Sequence, residues 1–83
     1  MTYILNQEIT VTGYHFTKGR SFPSRIQFGD DELNFAEIGL RCLVKKGQEL
    51  IEVFTMSDGR DTYTIRHERA NSHWTLLSKR AMA

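Results

Sequence analysis

The segment Met56-Ser57-Asp58-Gly59-Arg60 joins two runs in which apolar and polar residues alternate, and it constrains the fold more than any other part of the chain. Ile51, Val53 and Thr55 alternate with Glu52, Phe54 and Met56 before it, and Tyr63, Ile65 and His67 alternate with Thr62, Thr64 and Arg66 after it. A period of two on both sides of a glycine-bearing turn specifies a β-hairpin. Two registers are open. A two-residue loop at Asp58-Gly59 sets Phe54 against Tyr63 but Glu52 against Ile65, a poor cross-strand pair. A three-residue loop, Ser57-Asp58-Gly59, sets Ile51 against Ile65 and Val53 against Tyr63, with Gly59 in the left-handed position. The second gathers aliphatic residues on one face and is the expected register.

The pattern continues upstream, where Ile38, Leu40, Cys42 and Val44 alternate with Glu37, Gly39, Arg41 and Leu43 before Lys45-Lys46-Gly47-Gln48. A second hairpin with its turn centred on Lys46-Gly47 brings Cys42 opposite Ile51, Leu40 opposite Val53 and Arg41 opposite Glu52. A helix across this stretch would carry Gly39 in its middle, so strand is preferred. Downstream, residues 68–72 read as a polar loop, after which Trp74, Leu76 and Ser78 alternate with Thr75 and Leu77. The C-terminal half is therefore a four-stranded meander. Residues 25–28 and 33–35 flank the polar turn Gly29-Asp30-Asp31-Glu32 as a short hairpin, residues 8–16 read as a first strand, and residues 17–24, with the only proline, read as a loop.

At 83 residues the chain has room for one core, and residues 1–83 are expected to form a single domain that buries roughly 60 to 65 per cent of its unfolded surface. About six or seven short strands of this kind curl into a small antiparallel barrel or a strongly twisted meander, because a flat sheet leaves an apolar face uncovered. The expected core is Ile38, Leu40, Cys42, Val44, Ile51, Val53, Tyr63, Ile65, Trp74 and Leu76. Eleven basic and ten acidic side chains give a net charge of +1, so no global field draws in nucleic acid or an anionic membrane. The single cysteine rules out an internal disulfide and suits a reducing cytoplasm. No basic start with a long apolar core and no membrane-length apolar run is present, so a cytoplasmic protein with no membrane partner is expected.

Catalytic chemistry has no visible carrier. No serine or cysteine nucleophile has an identifiable base, no glycine-rich phosphate loop opens a helix, and His15, His67 and His73 lack the spacing of metal ligands. No enzyme activity, cofactor or metal is expected, and His67 reads as a hydrogen-bonded histidine at the end of the Tyr63 and Ile65 face. Phe16, Lys18, Arg20, Phe22 and Arg25 interleave aromatic rings with cations, the combination that stacks bases and neutralises phosphates of a single strand. The competing reading makes Phe22 a loop anchor and the cations solvated. Arg66, Arg69, Lys79 and Arg80 form a second basic set that reads more simply as edge charges.

The expected register also leaves Leu43, Leu50, Phe54, Met56 and Leu77 on the non-core face, too much apolar surface for idle exposure. That face should meet a partner chain or a second copy unless closure of the sheet or residues 1–5 cover it. The expected function is a non-enzymatic protein-interaction module, homodimeric through Phe54 and its neighbours; the alternative is a small barrel that binds single-stranded nucleic acid through its basic-aromatic loop.

Overall fold

A computed structural model describes residues 2–81, the side chains of Glu37 and Ile38 excepted. The chain is all β: β1 (Thr2–Thr17), β2 (Arg20–Phe28), β3 (Asp31–Asn34), β4 (Glu37–Lys46), β5 (Glu49–Ser57), β6 (Asp61–Glu68) and β7 (His73–Ala81). They form one seven-stranded antiparallel sheet in the order β3-β2-β1-β7-β6-β5-β4. The four-stranded C-terminal meander and the short hairpin over β2 and β3 are as the alternation implied.

The sheet is strongly curled but not closed by pairing of its edges. Only Phe35 and Ala36 separate β3 from β4, although these strands stand at opposite ends of the order. Three peptide steps reach at most about 11 Å, so the two edges must converge at this corner. Phe35 N–H donates to Ser24 O at 2.8 Å and Ala36 N–H to Ser57 O at 2.9 Å, which ties the corner to β2 on one side and β5 on the other. β1 supplies the second bend: its first half pairs with β7 and its second half with β2, with register shifts at Ile4/Gln7 and around Gly13. Asn6, at φ 46°, lies inside the first shift. Such bulges re-aim a strand from one partner to the next.

β1 and β2 are longer than the sequence suggested, and residues 17–24 are not a loop. Lys18 and Gly19 both adopt positive φ, 51° and 75°, and turn the chain in two residues so that Thr17 pairs with Arg20. This geometry matches the twist of the flanking strands, which makes it the favoured tight hairpin. Pro23 lies within β2, where β3 has not yet joined because its pairing begins at Arg25. A strand with one open edge tolerates a residue lacking an N–H.

The largest departure concerns which face is inside. Met56 stands opposite Tyr63, Phe54 opposite Ile65 and Glu52 opposite His67. Relative to the expected pairing of Val53 with Tyr63, β5 has slipped by an odd number of residues, and an odd slip exchanges its faces. The cause is Asp58. Its Oδ1 accepts the N–H groups of Arg60 and Asp61, each at 2.8 Å, and its Oδ2 accepts Tyr63 Oη at 3.1 Å. This side-chain turn draws residues 58–61 into the loop and leaves Ser57 and Thr62 as the last pair. In the β4–β5 hairpin Cys42 meets Val53 and Val44 meets Ile51. That slip is even, so Leu40, Cys42 and Val44 do share a face with Ile51 and Val53, as expected, but it is the outer one.

The core consists of Ile9, Phe22, Ile26, Phe35, Phe54, Met56, Tyr63, Ile65 and Leu76. Rings from the two halves of the curl interlock: Phe22 meets Phe54 edge-on at 5.9 Å and Phe35 meets Tyr63 at 5.6 Å. Each such fully buried large side chain contributes about 1.5 to 3 kcal/mol. Tyr63, Ile65 and Leu76 therefore keep their expected places, Trp74 is half-buried, and Leu40, Cys42 and Val44 are corrected to the surface. Ile51 and Val53 are half-buried, and the side chain of Ile38 lies outside the described residues. Gly39 sits at the irregularity where β4 joins β5, and a Cβ there would fall onto the Thr55 carbonyl. Only glycine permits this backbone approach.

Candidate functional site

The exchange of faces rearranges both sets of candidate residues. Of the proposed partner face, Phe54 and Met56 are each 1% exposed and belong to the core; Leu43 is exposed, and Leu50 and Leu77 are half-buried. These five do not make one surface. Of the basic-aromatic set, Phe22 is buried against Phe54, which satisfies the anchoring reading. Arg25 is engaged with Thr12 through Nε at 3.2 Å and Nη2 at 3.4 Å, and it lies 3.9 Å from Glu32. Phe16, Lys18 and Arg20 remain exposed at the tip of the β1–β2 hairpin.

Charge converges on Glu52, which points inward from β5 beside Phe54. Arg41 of β4 donates to Glu52 Oε2 through Nε at 2.7 Å and approaches it through Nη2 at 2.6 Å. On the other oxygen, His67 Nδ1 stands 3.2 Å away and Arg69 Nε 3.4 Å. The carboxylate side chain is 8% exposed, so its charge is stabilised by neighbours rather than by water. Burial by itself raises the Glu52 pKa; hydrogen bonds from Arg41 and His67 and the charges of Arg41 and Arg69 outweigh that and hold the carboxyl below its ordinary value. His67 also stacks flat on Trp74, with ring centroids 3.9 Å apart and planes 7° from parallel. Trp74 continues to Phe54 at 5.7 Å and to Tyr14 at 6.3 Å, and Tyr14 to Phe16 at 6.4 Å.

This cluster borders a half-open cavity of about 310 Å³. Tyr14 and Ser21 of the β1–β2 hairpin line it together with Glu52, His67, Arg69 and Trp74. The alternation carried part of this signal: Arg41 and Glu52 share a face, and His67 continues the phase of Tyr63 and Ile65. A carboxylate in phase with Phe54 and Met56 was the clue to an inward charge. The expected β4–β5 register had set Arg41 against Glu52; what it did not bring there is the end of β6 and the residue after it, which supply His67 and Arg69.

A second surface lies on the outside. β4 ends the sheet and, among the described residues, pairs only with β5 along residues 40–46. Its outer face carries Leu40, 74% exposed, exposed Cys42 and Val44, 46% exposed, flanked by half-buried Ile51 and Val53. Arg41, the cation in the middle of this edge, is turned inward to Glu52, so among the described side chains of β4 the exposed charges are Lys45 and Lys46.

Among the described residues, no three His, Cys, Asp or Glu side chains converge as a metal site requires, and no helix is long and apolar enough to cross a membrane. Comparison of the chain with protein-family models, curated proteins and solved structures gives no match.

Proposed function

We propose that this chain is a non-enzymatic interaction module that associates with a second copy of itself through the open edge and outer face of β4. The observation that carries this reading is the apolar stripe Leu40, Cys42, Val44 on a strand with an unpaired edge. Exposed apolar strands at sheet edges are sites of strand addition unless blunted by charge, and here the central cation is withdrawn. The sequence of β4 also suits itself. In an antiparallel two-fold pairing centred on Cys42, Leu40 meets Val44 of the second copy, Arg41 meets Leu43 and Lys45 meets Gly39, so no cation faces a cation. Phe54 and Met56 stay in the core of each copy and take no part.

Sedimentation velocity tests the reading. A dimer that dissociates on dilution is expected, and Leu40→Asp, an exposed position whose change spares the core, is expected to leave only monomer. A wild-type monomer persisting to millimolar concentration would contradict the proposal.

Strand binding at the β1–β2 tip is the second reading, supported by Phe16, 80% exposed beside Lys18 and Arg20. It requires affinity for short single-stranded oligomers that falls steeply with added salt. Absence of binding at low salt ends it.

A further inference from the structure

We infer that the cavity beside Glu52 is a binding site for a small molecule that joins a planar ring to an anionic group, phosphate or carboxylate. The charge of the ligand follows from which groups are already used. Both oxygens of Glu52 are taken up by Arg41, His67 and Arg69, so the carboxylate offers no free acceptor to an incoming cation or donor. Arg41, which does not itself line the cavity, balances the carboxylate at 2.6 Å, so that Arg69 is left as the uncompensated charge of the lining. Arg69 is 54% exposed, lines the cavity and approaches Glu52 through Nε, a contact that does not use its terminal N–H groups. Ser21 and Ser72 add hydroxyls to the same lining, and both can donate. A surplus of donors with a net positive charge selects an anion, and a guanidinium with free terminal groups suits the paired oxygens of a carboxylate or phosphate.

The ring follows from the walls and the size. Tyr14, 46% exposed, and Trp74 both line the cavity, with ring centroids 6.3 Å apart and planes 60° from parallel. Aromatic rings set among polar groups favour a planar ligand over a flexible chain. About 310 Å³ lies at the lower end for ligand cavities and suits one ring with its charged group rather than an extended polymer. No β4 residue lines the cavity, so its occupancy does not require self-association.

The test uses the intrinsic fluorescence of Trp74, the only tryptophan in the chain. Uridine 5′-monophosphate and benzoate serve as the phosphate and carboxylate probes, with uridine and inorganic phosphate as partial ligands. Saturable quenching by at least one of the two probes is expected, with weaker binding of each partial ligand. Arg69→Gln is expected to weaken the responding probe roughly tenfold through loss of charge-assisted hydrogen bonds, and Tyr14→Ala to weaken it by a smaller factor. Both residues are exposed, so their replacement leaves the core intact, and Leu40→Asp leaves binding unchanged. No saturable response to either probe, unchanged affinity in Arg69→Gln, or inorganic phosphate binding as tightly as uridine 5′-monophosphate would overturn the assignment.

Discussion

The two faces of β5 are both apolar, yet they do opposite things. Glu52, Phe54 and Met56 point into the curl and are buried, whereas Ile51, Val53 and Thr55 point outward and are half-buried. Aliphatic β-branched residues occupy the outer face and larger, more varied side chains the inner one. The inner face wins because Phe54 and Met56 have more apolar surface to remove from water and Phe54 has ring partners in Phe22 and Trp74 to meet. It can also hold Glu52, because Arg41, His67 and Arg69 offset the cost of taking a carboxylate from water. Apolar character alone does not decide which side of a strand is core; volume and the satisfaction of the polar residue in the same phase do.

That contrast is sharpest in paired substitutions. Phe54→Ala is expected to destabilise the protein by about 3 to 5 kcal/mol and Val53→Ala by about 1 kcal/mol, read from urea denaturation at concentrations where the protein is monomeric. Equal losses would mean that the faces are not distinguished by burial. Glu52→Ala is expected to cost about 3 kcal/mol, because it leaves the largely buried Arg41 without its counter-charge and His67 without its hydrogen-bond partner. A loss no larger than that of a surface substitution would show the cluster to be solvated.

Titration separates the inner carboxylate from the turn. The Glu52 pKa is held below the ordinary value, so its contribution is present above that value and is lost as pH falls through the folded-state pKa. Glu52→Gln is therefore expected to flatten the acid limb of the stability profile. Tyr63 behaves in the opposite sense. Burial, and then the hydrogen bond it donates to Asp58, raise its pKa from 10.0 to about 12. Its contribution is complete below pH 10.0 and is lost as pH rises through about 12. Tyr63→Phe, followed by thermal melting across alkaline pH, is expected to remove that decline; an unchanged alkaline limb would show that the hydroxyl is not held by the turn.

How far the sequence revealed this arrangement depended on the range of the deciding interactions. The hairpins over β4 to β7 were legible because alternation and glycine-bearing turns are local. The length of the turn after Ser57 was not, because Asp58 sets it through a side chain that reaches two and three residues ahead to the backbone and five ahead to Tyr63. An odd error there was enough to exchange inside for outside. Glu52 compounded it, since a carboxylate read by itself marks solvent and only its distant partners explain its burial. Phe22 was hidden for another reason: Pro23 suggested a loop, and the open edge of β2 that accommodates the proline exists only once the sheet has assembled.

Cys42 reports on the outer face directly, because it lies exposed in the middle of β4 and is the only thiol in the chain. Its rate of alkylation should be that of a free, accessible thiol in dilute protein and should fall as protein concentration rises and a second copy covers the strand. A thiol protected even in the dilute monomer would place Cys42 inside and contradict the orientation of β4 and β5, and a fast rate at every concentration would contradict association through this edge.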